Sequence, residues 1–221
     1  MRRVASLAAV LVVATMLGAA ALAADPLDPK VRITTADQAH ASAALLLKSD
    51  LGPGWSGGER KPDALKIPVC PAYHPNYSDL TITGHAEALY SLDSAGIQID
   101  TDVEVLKSAK QVDSQFARIL QPKLPTCLKY DLLKSIGGSG STFTLVKRLP
   151  VPALGTHAAI FRVVIAVKSG STTVSVFADF GFFAKGRTEF FMNVVAPSTD
   201  ESQLLPLETR LARTMIGRAK A

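Results

Sequence analysis

The sequence predicts an α+β fold with an antiparallel sheet of about six strands and helices packed on one face. Three observations support this prediction. Strand-like segments follow one another in hairpins instead of alternating with helices. Apolar residues recur at helical spacing before, between and after these strands. The last four strand-like segments are joined mostly by short turns that contain glycine or serine.

Helix starts are marked by two capping-box patterns, in which Thr or Ser is followed three residues later by Gln. These patterns begin at Thr35 and Ser108. Asp50 to Gly54 and Pro122 bring the two helices to an end, because Gly and Pro do not continue a helix. Two further helices are expected over about 126–136 and 200–218.

Strands are predicted where the hydrophobic period changes to two. The clearest case has Ile99, Thr101, Val103 and Val105 on one face, and Gln98, Asp100, Asp102 and Glu104 on the other. Such alternation is typical of a strand with one buried and one solvated face. The other strands are expected near residues 81–90, 141–148, 158–168, 172–183 and 187–195.

The N-terminal residues 1–23 have the composition of a signal peptide. Arg2 and Arg3 precede an uncharged run that ends in Ala21-Leu22-Ala23, a small-residue cleavage pattern. We therefore expect a secreted or extracytoplasmic protein with a flexible lead over 24–34 and a single domain over 35–221. The alternative is an uncleaved anchor, which would be the chain's contact with a membrane.

Two cysteines are present, Cys70 and Cys127, and an exported chain meets an oxidising compartment. They are predicted to form a disulfide, with two free buried thiols as the alternative. The chain without residues 1–23 has 22 basic and 19 acidic residues, evenly spread. This small positive charge argues against a nucleic-acid partner.

A serine-hydrolase motif is matched by Gly54 to Gly58, with Ser56 at its centre. The motif requires a strand before the serine and a helix after it, and the flanking Pro53 and Pro62 favour neither. A glycine-rich loop is the better interpretation. We therefore predict no catalytic residues.

An acidic strand face offers a second kind of chemistry. Asp100, Asp102 and Glu104 project together, and His85 and Glu87 lie on the preceding strand. Several oxygen ligands could bind a hard cation. A solvated sheet face is the more common arrangement, and it is the one predicted here, with no metal and no cofactor.

Aromatic residues supply the candidate ligand contacts. Trp55, Tyr73 and Tyr77 share a proline-rich stretch over 51–79, where they would line a cleft or cover a thin core edge. Phe180 and Phe182 point to one face of the last hairpin and Phe177 and Phe183 to the other. A hairpin with two apolar faces needs a second layer, a cavity or a partner.

The chain resembles the exported sensor-type domains of actinobacteria, which occur as extracellular parts of transmembrane Ser/Thr kinases and as related lipoproteins. The resemblance covers about residues 36–218. The matching segments are DLGPGW at 50–55, Cys70, VLKSA at 105–109, PTC at 125–127, LG at 154–155, DFGFF at 179–183 and GR at 186–187. This resemblance implies an α+β domain with a groove for a small ligand and supplies no catalytic residues.

The expected function is that of a secreted, non-enzymatic domain that binds a small molecule or a cell-envelope component. Its cleft would lie between the sheet, the 51–79 loop and the last hairpin, within reach of Trp55 or Tyr73. One alternative is a secreted hydrolase that uses Ser56 or a carboxylate such as Asp100. The other is a protein-interaction module that uses the phenylalanine-rich hairpin.

Overall fold

The structure is a computed structural model that describes residues 26–62, 70–136, 142–169, 172–198 and 201–219. The predicted signal peptide lies outside the described residues. The helices are α1 (Thr35–Ala44), α2 (Lys48–Leu51), α3 (Ala109–Ile119), α4 (Leu124–Ile136) and α5 (Glu201–Arg218). The strands are β1 (Lys30–Val31), β2 (Ser56–Arg60), β3 (Thr81–Leu92), β4 (Ile97–Leu106), β5 (Thr142–Leu149), β6 (His157–Ser169), β7 (Thr172–Lys185) and β8 (Thr188–Pro197).

The eight strands form one sheet in the order β1-β3-β4-β8-β7-β6-β5, and β2 also pairs with β3. All pairs are antiparallel except β1 with β3, which is parallel. The α+β class and the six predicted strands are confirmed. The sheet is larger than predicted, because β1 lies in the expected flexible lead and β2 in the expected proline-rich loop. It is mixed because β1 runs parallel to β3.

Helices cover both faces of the sheet, so the prediction of helices on one face is wrong. Phe177 and Phe183 of β7 belong to the main core, which contains side chains of α1 and α5. Phe180 and Phe182 of the same strand pack against a second cluster, which contains side chains of α3 and α4. Since alternate residues of a strand point to opposite faces, the two helix pairs lie on opposite sides.

Both predicted helix starts are occupied by capping residues. The Ser108 hydroxyl accepts a hydrogen bond from the Gln111 amide, as predicted. At α1 the cap lies one residue earlier than expected, since the Thr34 hydroxyl accepts from the Asp37 amide at 3.1 Å. Each cap satisfies a backbone donor that the first helical turn leaves without an intrahelical partner.

A buried ionic group joins α5 to the sheet. The Arg162 guanidinium donates to both carboxylate oxygens of Asp179 at 2.6 to 3.1 Å, and it lies over the Phe177 ring. Glu208 of α5 is buried beside them. Burial and the neighbouring Asp179 carboxylate raise the pKa of Glu208 to about 9, so this side chain is uncharged at neutral pH.

Helix α1 approaches β3 most closely at Gly84. A Cβ atom at this position would lie 2.2 Å from the Asp37 carbonyl oxygen, so a side chain does not fit. One residue further, the Gln38 side chain donates to the His85 carbonyl oxygen at 2.7 Å and accepts from the His85 amide at 3.3 Å. These contacts fix the backbone from which the His85 side chain projects.

The Gly84→Ala substitution is expected to destabilise the fold by about 1 to 3 kcal/mol, because the new methyl group displaces α1 from β3. Gly58→Ala is the matched control, since a Cβ atom there meets nothing within 4 Å. Urea denaturation of both variants measures the difference. Equal midpoints for the two variants would contradict the close approach of α1.

The Glu208→Gln substitution is expected to remove part of the alkaline loss of stability. The pKa of Glu208 is raised from an ordinary value of 4.5 to about 9. The native state therefore holds a proton that the unfolded state releases, and the free energy of unfolding falls as the pH rises between these values. Urea titrations at pH 5, 7 and 9 should show a shallower fall in the variant. An unchanged slope would show that Glu208 ionises normally.

Candidate functional site

The predicted disulfide is present and ties a loop to a helix. Cys70 and Cys127 are bonded, and both are buried. The backbones of Cys70 and Tyr73 also exchange hydrogen bonds of 3.1 and 2.9 Å. The bridge therefore fastens this short loop to α4, on the side of the sheet that α3 and α4 cover.

The predicted aromatic residues are divided between the two faces of the sheet. Trp55 is buried in the core beneath α1 and α5. Tyr73, Phe180 and Phe182 lie in the cluster beneath α3 and α4. Tyr77 lies on that side too, because its ring adjoins the Arg118 guanidinium of α3 at 5.3 Å. Trp55 and Tyr73 thus do not line one cleft.

A cavity of about 570 Å³ lies within the connection between β5 and β6. Its lining comes from residues 148–158, and neither Trp55 nor Tyr73 contributes to it. The aromatic candidates and this cavity are therefore separate features.

Ser56 lacks the surroundings of a hydrolase nucleophile. It is the first residue of β2, and its hydroxyl donates to the Ser91 carbonyl oxygen at 3.4 Å. Within the described ranges, no imidazole or carboxylate forms a hydrogen bond with it. Asp100, the other hydrolase candidate, accepts from the Arg60 guanidinium at 3.2 Å.

A cluster of ionisable side chains lies on the same face as Tyr77 and Phe182. We call it the acidic cluster: His85 and Glu87 of β3, Asp102 and Glu104 of β4, and Glu189 of β8. Three register pairs bring it together, since Glu104 lies opposite both His85 and Glu189, and Asp102 lies opposite Glu87. Directly opposed residues on neighbouring strands have Cβ atoms about 5 Å apart.

Short distances connect the members of the acidic cluster. His85 Nε2 lies 3.0 Å from Asp102 Oδ2 and 3.5 Å from Glu87 Oε1. His85, Asp102 and Glu104 each present one nitrogen or oxygen atom such that these atoms all lie within 4.8 Å of one another. Such a set of donors is compatible with a bound cation.

The acidic cluster is largely shielded from water, so the expectation of a solvated sheet face is wrong here. His85 is 8% exposed, Glu87 6% and Glu189 7%. The Arg118 guanidinium and the Tyr77 side chain both interact electrostatically with Glu189. Asp102 keeps 22% of its side chain exposed and connects the cluster with solvent.

Three carboxylate oxygens of the cluster are buried with neither a hydrogen-bond partner nor an ion-pair partner among the described residues. They are both oxygens of Glu189 and Oδ1 of Asp102, whereas Glu87 Oε2 pairs with Arg60. Buried polar atoms are normally paired, and an unpaired buried carboxylate is costly. These atoms, like both oxygens of Glu208 beneath α5, mark a place where the fold has not completed its own interactions.

The pKa values of three groups in the acidic cluster are raised, so these groups retain their protons to higher pH. Burial, followed by the Asp102 charge, raises the pKa of Glu104 to about 8. Burial, followed by the charges of Glu104 and Asp102, raises the pKa of Glu189 well above its ordinary value. For His85 burial is the largest single influence and lowers the pKa, but the hydrogen bond to Asp102 and the charges of Asp102, Glu104 and Glu87 together outweigh it, so the pKa is raised.

At the rim of the cluster, Arg60 neutralises two carboxylates. Its Nε atom lies 3.1 Å from Glu87 Oε2, and its Nη2 atom lies 3.2 Å from Asp100 Oδ2. On the other side, Arg118 pairs with Asp79 at 2.8 Å. Glu104 and Glu189 take part in neither of these ion pairs, although the Arg118 charge acts on Glu189.

Comparison with protein-family models and with curated proteins finds no match to this chain. Within the described residues, no helix is both long and apolar enough to cross a membrane. The disulfide is consistent with an extracytoplasmic location. Function must therefore be argued from the geometry of this chain alone.

Sequence reasoning considered His85, Glu87, Asp102 and Glu104 as a group but missed Glu189. The signal that was present is a single acid at the start of the largely apolar strand β8, at a position where strand alternation allows a polar side chain. What the sequence lacked was the pairing of β4 with β8, which are separated by five other elements along the chain.

Replacing both cysteines by alanine is expected to lower the free energy of unfolding by up to about 4 kcal/mol, because the bridge closes a long loop in the unfolded chain. Urea unfolding of Cys70→Ala/Cys127→Ala, compared with the wild type in oxidised and in reduced form, measures the loss. The double variant should match the reduced wild type. A double variant as stable as the oxidised wild type would contradict the role of the bridge.

Proposed function

We propose that this protein is an exported, non-enzymatic binding domain whose acidic cluster takes up a positively charged ligand. The ligand is a small molecule or a positively charged component of the cell envelope. One observation carries the proposal. Glu189 is almost completely buried beside Glu104 and Asp102, and both of its carboxylate oxygens lack a hydrogen-bond partner among the described residues.

The charge of the ligand follows from the charge of the cluster. Glu104, Glu189 and Asp102 lie together. Glu104 and Glu189 favour their protonated forms, which avoids the free-energy penalty of burying three negative charges side by side. A cation bound among them would replace these protons and supply attraction in a site of low effective dielectric constant. An anion would meet repulsion from the same carboxylates.

Binding is better supported than catalysis. Among the described residues, Ser56 has no base beside it, and Asp100 is engaged by Arg60. A general base must reach its proton within about 3 Å, and no such pair involves Ser56 here. The predicted signal peptide and the disulfide support an exported protein, and the resemblance to sensor-type domains stays a prediction.

The phenylalanine-rich hairpin gives less support to an interaction module. Phe180 and Phe182 are only partly exposed and pack against the layer that contains α3 and α4. This layer covers one apolar face of the hairpin, and the layer of α1 and α5 covers the other. The acidic cluster, in contrast, retains atoms without partners.

A thermal-shift titration tests the proposal. Spermidine and the chlorides of Mg²⁺, Ca²⁺, Mn²⁺ and Zn²⁺ are added to the mature protein against sodium chloride of equal ionic strength. At about a hundred times Kd, a ligand should raise Tm by about 5 °C or more. The Glu104→Gln/Glu189→Gln variant should lose this shift, because it lacks the two charges that attract the cation.

The control is Glu59→Gln/Asp93→Asn, which removes the same number of charges from exposed positions of β2 and of the β3–β4 turn. It should respond like the wild type. If none of the cations shifts Tm beyond sodium chloride, the proposed function is wrong. An equal shift in both double variants would also contradict it, since the binding would then be a general surface effect.

A further inference from the structure

We infer that the cation held by the acidic cluster is a divalent first-row transition-metal ion, bound by His85, Asp102, Glu104 and Glu189. This inference rests on the proposed function, because it names the ligand of the same site. It goes further by assigning a metal centre, which the sequence led us not to expect.

Three donor atoms of the acidic cluster are close enough to share one ion. The nearest donor atoms of His85, Asp102 and Glu104 lie within 4.8 Å of one another. Around a metal with bonds of about 2.1 Å, neighbouring ligand atoms lie about 3 to 3.4 Å apart. Small changes in side-chain torsion angles are therefore enough to close the three donors around one ion.

A further buried carboxylate, that of Glu189, lies beside these three donors. Glu189 comes from a different strand, lies opposite Glu104 and is 7% exposed. Both of its oxygens and Oδ1 of Asp102 are buried without hydrogen-bond partners in the described part of the chain. Glu189 is not among the three donors that lie within 4.8 Å of one another, so it is a nearby buried carboxylate that would reorient to complete the site.

The imidazole of His85 bears on the kind of metal. Mg²⁺ and Ca²⁺ prefer oxygen ligands throughout, whereas imidazole suits transition metals such as Zn²⁺ in mixed nitrogen and carboxylate sites. His85 is buried and lies 3.0 Å from Asp102 Oδ2, in the middle of the group. A hard cation would gain nothing from this imidazole, and a transition metal would gain a ligand.

Charge is consistent with a divalent ion. Asp102, Glu104 and Glu189 supply up to three negative charges, and Arg60 is already paired with Glu87 and Asp100 at the rim. A dication would reduce this charge to one net negative charge beside the Arg118 guanidinium, whereas a monovalent cation would leave two. The side chain of Asp102 is 22% exposed, so an ion can reach the cluster from solvent at this residue.

The test is calorimetric titration of the mature, disulfide-bonded protein with Zn²⁺, Mn²⁺, Ca²⁺, Mg²⁺ and spermidine. We expect one site per chain for Zn²⁺, at least about tenfold tighter than for Ca²⁺ or Mg²⁺, with Mn²⁺ weaker than Zn²⁺. His85→Gln should weaken Zn²⁺ binding at least about tenfold, as losses around metal sites commonly do. The same variant should change spermidine binding less than about twofold.

The matched control is His157→Gln. His157 also contacts a carboxylate, with Nε2 2.7 Å from Asp113 Oδ1, but it lies outside the cluster. This variant should bind Zn²⁺ like the wild type. Circular dichroism and urea midpoints confirm that each variant is folded, and Asp102→Asn is a second ligand variant that decides the question if His85→Gln does not fold.

Three outcomes would overturn the inference. Spermidine binding that depends on Glu104 and Glu189, without Zn²⁺ or Mn²⁺ binding, would leave the proposed function intact and remove the metal. Calcium binding as tight as that of Zn²⁺ and indifferent to His85→Gln would remove the transition-metal assignment. Equal losses in His85→Gln and His157→Gln would show that surface histidines bind the ion.

Discussion

The cover of the sheet on both faces is the constraint on which the rest of the structure depends. Helices α1 and α5 cover one face of the sheet, and α3 and α4 cover the other. A charged side chain on a central strand therefore has little access to solvent. It must be neutralised by a partner, by a proton or by a ligand. These three ways of neutralising a charge account for the surroundings of the charged residues of β3, β4, β7 and β8.

The two faces resolve this constraint differently. Beneath α5, Asp179 receives three hydrogen-bond contacts from Arg162, and the remaining carboxyl group of Glu208 keeps its proton. Beneath α3, Glu189 receives no hydrogen bond among the described residues, and Glu104 and Glu189 both favour their protonated forms. Glu208 and Glu189 each have both carboxyl oxygens buried without a hydrogen-bond partner among the described residues, but Glu208 lies beside the complete Arg162–Asp179 ion pair, whereas Glu189 lies beside two further acids, Glu104 and Asp102.

The disulfide and the acidic cluster belong to the same side of the protein. Cys70, Cys127 and Tyr73 pack beneath α3 and α4, and Tyr73 donates a hydrogen bond to the Arg118 carbonyl oxygen at 2.6 Å. Arg118 in turn adjoins Tyr77 and Glu189. The covalent bridge thus holds in place the layer that keeps water away from the cluster.

The sequence by itself determined the local structure. Alternation identified the buried residues Ile99, Val103 and Val105, the Ser108 cap identified the start of α3, and the cysteine count identified the disulfide. These features succeed because they depend on neighbours along the chain or on redox chemistry. The two short strands were missed because β1 and β2 are held by hydrogen bonds to β3 and have no apolar period of their own.

Only the tertiary structure decided which polar residues meet and which face they share. Trp55 and Tyr73 are near each other in sequence and lie on opposite sides of the sheet, whereas Glu104 and Glu189 are far apart in sequence and directly opposed. The same alternation of β4 predicts a solvated acidic face if nothing covers it and a buried cluster if α3 does. Burial depends on the order of strands and on the second helical layer, and both arise from contacts between distant parts of the chain.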